Sequence, residues 1–109
     1  MKLTIKEQKI IKAFKNRIRN KFSTEIIEVI IFGSKARGDA AKDSDIDILV
    51  VTASDNWEKS DKIRKIGYTL DEDIEYKLSI QVMAKSHIDY LRRNKFQFIE
   101  NVEKEGIFV

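Results

Sequence analysis

The chain has 109 residues, of which 42% are hydrophobic and 36% are charged, and its formal net charge at pH 7 is +3. These values fit one globular domain over residues 1–109, with room for a single hydrophobic core. The lack of cysteine excludes disulfides and thiolate metal sites, and without a signal peptide or the roughly 20 apolar residues of a membrane helix we expect a cytoplasmic protein.

Positive charge is concentrated at the start of the chain. Residues 1–21 carry eight lysines and arginines against one glutamate, so they hold a charge of +7 while the other residues together hold −4. A basic surface of this kind can bind nucleic acid or an acidic partner, or it can be a solvated helix face. We expect a solvated face, because no aromatic stacking platform interleaves the lysines.

The first half of the chain predicts one helix followed by two strands. Thr4 and Glu7 form a capping-box pattern ahead of apolar residues at helical spacing, which predicts a helix over residues 5–20. Residues 25–32, EIIEVIIF, and residues 44–51, SDIDILVV, are rich in β-branched residues. Both runs predict buried strands.

A second long helix is predicted over residues 56–70. Asp55 with Glu58 offers another cap and capping box, and apolar residues follow at helical spacing. Gly67 either weakens this helix or lets a neighbouring element approach closely. An acidic loop, residues 71–73, should follow the helix.

The last third of the chain predicts a strand and two helices. YKLSIQV, residues 76–82, alternates apolar and polar residues, as a half-buried strand does. Ser86 with Asp89 can cap a short helix, and a further helix should end near Gly106, before an apolar tail. The order of the elements predicts an α+β fold, with a mixed sheet of at least three strands flanked by helices.

Two aspartates, Asp45 and Asp47, lie one residue apart in the second predicted strand. Because successive side chains of a strand alternate faces, both should project from the same side. Like charges this close raise each other's pKa unless a cation lies between them, and carboxylates suit Mg²⁺ or Mn²⁺, which also bind substrate phosphates. The pair predicts a divalent metal with a phosphorylated ligand; the alternative is an edge strand with solvent-facing acids.

The residues between the first two strands offer groups that bind anions. Gly33 permits close backbone approach, and the N–H groups of Gly33 and Ser34 can cradle a phosphate at a turn or helix start. Arg37 presents a fork of donors matched to phosphate, although it could equally pair with a nearby surface aspartate. Ser44 either tunes the site by hydrogen bonding near Asp45 or simply ends the loop.

Other residues are expected to have structural roles only. Lys35 and Lys42 should be solvated, with contact to a polyphosphate as the alternative. Trp57 lies on an apolar stripe and is expected in the core. His87, the single histidine, should be exposed and neither a ligand nor a base.

Residues 33–51, GSKARGDAAKDSDIDILVV, resemble the defining motif of the minimal nucleotidyltransferases, small members of the DNA polymerase β-type superfamily. That motif is Gly-Ser, Ala-Arg-Gly and then Ser-Asp-x-Asp before apolar residues. The ending FIENVEKEGIFV is also similar to the last helix and tail of many such proteins. The resemblance implies the polymerase β-like fold, an NTP held by Gly33 and Ser34, a metal held by the catalytic pair Asp45 and Asp47, and nucleotidyl transfer to an acceptor hydroxyl.

The sequence departs from the superfamily in one respect. The resemblance implies a third carboxylate on a later strand, acting as general base or metal ligand, but the polar face of the third predicted strand offers Lys77, Ser79 and Gln81. Glu75 or Asp73 could replace it only with a shifted geometry. General-base assistance is worth about 10² to 10⁴ in rate, so we expect slow transfer or a nucleotide-binding relic, unless a second metal ion compensates.

Three classes of function follow from these features. The first is a metal-dependent transferase that moves AMP from ATP to a hydroxyl of a partner protein, since 109 residues leave little room for an acceptor-binding domain. The second is a non-catalytic partner, because proteins resembling this chain often act as the antitoxin of a pair whose toxin is a small helical protein; in such pairs the transferase can inactivate the toxin by adding AMP. The third and least favoured is a nucleic-acid binder that uses the basic first helix.

Overall fold

The fold is built on a four-stranded mixed sheet, seen in a computed structural model that describes residues 3–39, 44–70 and 78–109. The strands are β1 (Ile26–Phe32), β2 (Ile46–Thr52), β3 (Leu78–Ala84) and β4 (Ile107–Phe108). Their order in the sheet is β3-β2-β1-β4. β1 is antiparallel to both β2 and β4, whereas β2 and β3 are parallel. The predicted α+β fold with a mixed sheet is confirmed.

Helices cover both faces of this sheet. They are α1 (Ile5–Phe22), α2 (Gly33–Arg37), α3 (Trp57–Leu70), α4 (Lys85–Arg93) and α5 (Gln97–Glu105). α1 and α3 pack on one face, against a core that includes Ile46, Ile48 and Val50 of β2. α4 and α5 pack on the other face, against Leu49 and Val51. β2 is therefore buried on both sides, which explains its nearly continuous apolar sequence.

The long N-terminal helix forms as the sequence predicts. The Thr4 N–H donates to Glu7 Oε1 at 2.9 Å and the Glu7 N–H donates to Thr4 Oγ1 at 3.1 Å, so the predicted capping box is present. α1 continues two residues beyond the predicted end, to Phe22. A single 3₁₀ turn, Ser23–Glu25, then leads into β1.

Both predicted caps in the second half were wrong. The Lys59 N–H donates to Asn56 Oδ1 at 3.1 Å, so Asn56 and not Asp55 caps α3. α4 begins at Lys85 directly after β3, with no side-chain cap at Ala84. Its start is set by the point where the strand leaves the sheet, and the predicted cap, Ser86, lies inside the helix.

Trp57 is not in the core, as was expected, but is 75% exposed. It is the first residue of α3, ahead of Ile63, which faces the sheet and is fully buried. Gly67, further along α3, permits the close approach that was one of its two predicted roles, because a Cβ there would overlap Ile80 Cδ1 of β3. His87 is exposed, as predicted.

The apolar tail extends the sheet. Ile107 and Phe108 form β4 and pair with Ile31 and Ile30 of β1, whereas the sequence predicts an apolar tail and no strand there. The predictions for Lys42, for the loop 71–73 and for residues 75–77 lie outside the described residues. Within the described ranges, no helix is both long and apolar enough to cross a membrane.

Candidate functional site

The predicted site residues converge at one end of the two inner strands, where β1 ends and β2 begins. Phe32, the last residue of β1, pairs with Asp47, the second residue of β2. α2 starts immediately after β1, so Gly33 and Ser34 lie at the same end of the strands as Asp47. Asp45 precedes β2 by one residue and is exposed, whereas Asp47 is half-buried. Antiparallel pairing of two strands thus brings the glycine-serine turn and the aspartate pair together.

Gly33 touches Asp47 so closely that no side chain fits between them. A Cβ at Gly33 would overlap Asp47 Oδ2, and the φ of Gly33 is +75°, a conformation that L residues rarely adopt. No side chain caps α2 at Phe32. The first N–H groups of a helix have no acceptor within the helix, so those of Gly33 and Ser34 have no partner inside α2, and Gly33 lies directly against Asp47.

The electrostatics at Asp47 favour a bound cation. Burial raises the pKa of the Asp47 carboxyl, and the charge of Asp45 raises it further, while the charge of Arg37 and hydrogen bonding with Ser79 lower it. The net effect is a raised pKa, which means that the ionised form carries a free-energy penalty in the folded protein. A hard divalent cation held by both carboxylates would remove this penalty, so the donor set fits Mg²⁺ or Mn²⁺.

Arg37 is held by two carboxylates. Its guanidinium contacts Asp39 at 3.0 Å and Glu105, at the end of α5, at 3.1 Å. Hydrogen bonds to these two groups raise the pKa of Arg37. Pairing with Asp39 is the surface contact that the sequence offered as an alternative, whereas Glu105 was not anticipated. Arg37 nevertheless remains close enough to influence the pKa of Asp47, and its side chain is 43% exposed.

Lys35 is not solvated, so that prediction was wrong. Its Nζ lies 2.8 Å from Glu7 Oε2, and the two side chains are only 7% and 1% exposed. Burial raises the pKa of the Glu7 carboxyl, but hydrogen bonds from Lys35 and Thr4 and the charge of Lys35 outweigh that effect, so the net shift is downward. The reason is tertiary: α2 turns Lys35 towards the first turn of α1.

The position that faces Asp47 on β3 is Ser79. Asp47 pairs with Ser79 and Leu49 pairs with Gln81, so these polar residues share the sheet face of Asp47. Within residues 3–39, 44–70 and 78–109, no group of three or more His, Cys, Asp or Glu side chains could hold a metal ion. Ser44, the remaining predicted site residue, lies half-buried just before Asp45.

Comparison with known proteins gives a consistent result. The family model described as "nucleotidyltransferase domain" matches residues 11–109. Two Methanocaldococcus jannaschii proteins, provisionally named protein adenylyltransferases MJ0604 and MJ0141, are 34% and 37% identical to this chain. Each match covers 92% of this chain, with 94% of the first relative and 95% of the second.

Solved structures share the fold. A provisionally named nucleotidyltransferase from Sulfolobus solfataricus has a TM-score of 0.58 at 23% identity, over 92% of this chain and 76% of that chain. A toxin–antitoxin complex with AMP-PNP has a TM-score of 0.53 at 22% identity, over 89% of this chain and 70% of that chain. A variant of the MntA-HpeT toxin–antitoxin has a TM-score of 0.52 at 21% identity, over 90% and 70%. At these identities the likeness concerns the fold alone.

Proposed function

Because the chain belongs to the nucleotidyltransferase domain family, we propose that it transfers AMP from ATP to a hydroxyl of a partner protein in a metal-dependent reaction. The observation that carries the proposal is the contact between Gly33 and Asp47, which sets the first N–H groups of a helix beside one of the two proposed metal-binding carboxylates. Nucleotidyl transfer from a triphosphate requires hydrogen-bond donors that bind the phosphate oxygens and carboxylates that bind a metal ion.

Each residue of the site has a role in this proposal. The N–H groups of Gly33 and Ser34 bind phosphate oxygens, and Arg37 adds a charged donor to the same triphosphate. Asp45 and Asp47 would hold the divalent ion, which when bound neutralises phosphate charge and lowers the pKa of the acceptor hydroxyl. The acceptor oxygen forms a bond to the α-phosphorus as the bond to pyrophosphate breaks, and the hydroxyl proton leaves to solvent or to a base.

A protein acceptor is supported by the relatives. The two M. jannaschii proteins are named for protein adenylyl transfer, and they match nearly the whole of this chain and of their own length. The toxin–antitoxin structures with this fold support a toxin as the partner. We propose a small helical toxin that carries a tyrosine, serine or threonine hydroxyl to the site.

A second candidate is an antitoxin that binds nucleotide and its partner with little catalysis. Ser79 favours this alternative, because it occupies the place on β3 that faces Asp47 and cannot act as a carboxylate base. The two functions differ in turnover and not in ATP binding, so a rate measurement separates them.

The proposal is tested first by ligand-dependent stability. ATP with Mg²⁺ at about 100 times its Kd should stabilise the fold by about 2.7 kcal/mol, which corresponds to a Tm rise of about 10 °C for a domain of this size. Asp45→Asn should lose the metal-dependent part of this rise. Asp55→Asn, which removes an exposed carboxylate before α3, is the matched control and should keep it. Calorimetry that detects no ATP binding to the wild type with metal present would rule out the nucleotide proposal.

The acceptor is tested separately. Protein, labelled ATP and Mg²⁺ are incubated with host lysate, and labelled species are identified by mass spectrometry. We expect label on a protein. Label on RNA or on a small molecule alone would refute the protein acceptor and leave the transferase activity intact.

A further inference from the structure

A buried ion pair joins α1 to α2, and the proposed chemistry does not use it. Glu7 and Lys35 are the charged residues among the buried side chains of the described ranges, where Thr52 is the other polar one. Their charged atoms lie 2.8 Å apart. Lys35 follows Ser34 directly in the chain and lies in the same short helix as Gly33 and Arg37.

The α1 side of this pair is rigid. Glu7 Oε1 accepts the Thr4 N–H at 2.9 Å as part of the capping box, which leaves Oε2 for Lys35. α1 itself is fixed to the sheet by Phe14 and Ile18, both fully buried. The carboxylate that meets Lys35 therefore has its position set by the main body of the fold.

The α2 side depends on outside contacts. A helix of five residues, Gly33–Arg37, is far too short to be stable by itself. Its orientation must come from what its side chains touch. Ala36 packs against the main hydrophobic core, and two ion pairs add to this contact: Lys35 meets Glu7, and Arg37 meets Glu105. Of these two ion pairs only the one through Lys35 is buried, so it is the less easily displaced by water or by a ligand.

Stability is a poor explanation for such a pair. Removing two charges from water costs several kcal/mol, and replacing a buried pair by apolar groups of similar volume is often neutral or stabilising. We propose that the Glu7–Lys35 pair is a positioning device, which holds α2 so that the N–H groups of Gly33 and Ser34 face the nucleotide phosphates. This inference rests on the proposed function and names two residues that act through others.

The test uses a double variant, Glu7→Gln with Lys35→Met. Gln keeps the acceptor for the Thr4 N–H, and Met fills the volume of the Lys35 stem without charge. Glu25→Gln with Lys59→Met is the matched control, because it removes an ion pair of 3.1 Å that links Glu25, just before β1, to α3. We expect the Glu7/Lys35 double variant to fold with a moderately lower Tm, because Glu7→Gln leaves buried amide N–H groups without a partner, while ATP affinity falls by about tenfold and the transfer rate by up to about 10²-fold.

Two further measurements separate positioning from general destabilisation. Lys35→Arg alone should retain most of the ATP affinity, because it keeps the charge that Glu7 binds. In nucleotide-free protein, the amide chemical shifts of Gly33 and Ser34 should move in the Glu7/Lys35 double variant and stay unchanged in the Glu25/Lys59 control.

Unchanged ATP affinity and unchanged amide shifts in the folded Glu7/Lys35 double variant would overturn the positioning role while leaving the proposed function in place. Failure of the wild type to bind ATP would instead overturn the proposed function, and with it the inference. A double variant that fails to fold would show that the pair serves stability, and would also count against positioning.

Discussion

The residue that faces Asp47 on β3 offers a direct test of why transfer should be slow. Ser79 pairs with Asp47 on the neighbouring parallel strand, and such strands lie about 4.8 Å apart. Ser79→Asp would therefore place a third carboxylate beside Asp47, within reach of the cation proposed for Asp45 and Asp47. We expect this variant to be less stable than the wild type without metal and faster with it.

The magnitudes follow from the spacing. Two unit charges about 5 Å apart repel by about 3 kcal/mol at an effective dielectric constant of about 20, which in the absence of metal should lower the Tm by about 13 °C. The added charge should also raise the pKa of Asp47 further. Mg²⁺ with ATP should restore the lost stability, and a general base at this position should raise the rate by about 10² to 10⁴.

Single-turnover assays with labelled ATP measure the rate, and thermal melts with and without Mg²⁺ measure the metal response. Ser79→Asn is the matched control, because it has the same shape as the aspartate variant without the charge. If Ser79→Asp does not raise the transfer rate, or if Ser79→Asn raises it equally, the lack of a third carboxylate is not what slows transfer. Brisk wild-type transfer that survives both Glu75→Gln and Asp73→Asn would show that no third protein carboxylate is needed.

Three other predictions concern the contacts around α2. Glu105→Gln frees Arg37 from one carboxylate and should increase ATP affinity by about two- to fivefold, whereas Glu103→Gln on the same helix, which loses an ion pair with another arginine, should leave calorimetric affinity unchanged. Gly33→Ala should lower the Tm and abolish ATP binding, because strained backbone of this kind costs about 1–3 kcal/mol and the added methyl overlaps the carboxylate of Asp47. A wild-type Tm for this variant would contradict the steric account. The pKa of Glu7 is lowered from 4.5, so its stabilising contribution is complete above about pH 4.5 and is lost as the pH falls through the folded pKa. The Tm difference between wild type and Glu7→Gln should therefore shrink on acidification. A difference that grows would show that the pKa of Glu7 is raised by folding and not lowered.

The sequence predicted those parts of the site that depend on neighbours along the chain. The capping box of Thr4 and Glu7 spans three residues, and the alternation that predicts Asp45 and Asp47 on the same side spans two. The motif from Gly33 onwards could be recognised because its residues are close in sequence and its spacing is specific. The sequence left open whether a turn or a helix starts at Gly33, because five residues are too few to show a helical periodicity.

Partners that come from distant segments could not be predicted. Glu105 meets Arg37 across 68 residues, and no local pattern marks it as different from the other glutamates of α5. The cap of α3 is Asn56, one residue after the predicted Asp55. Both side chains suit the role, and only the path of the chain after β2 selects between them. Trp57 lies on the apolar stripe of α3, but it is in the first turn and is exposed. Ile63, further along the same helix, is buried against the sheet.

The sequence by itself determined the types of the main helices and strands and which polar residues of the motif lie near one another, since periodicity, caps and glycine placement act over a few residues. The tertiary structure alone decided that Lys35 is buried against Glu7, that Ser79 faces Asp47, and that the apolar tail becomes an edge strand. These outcomes depend on strand register and on how α2 lies against α1. Packing of separate segments sets both, because a side chain's solvation and partners follow from the surfaces that meet in the folded chain.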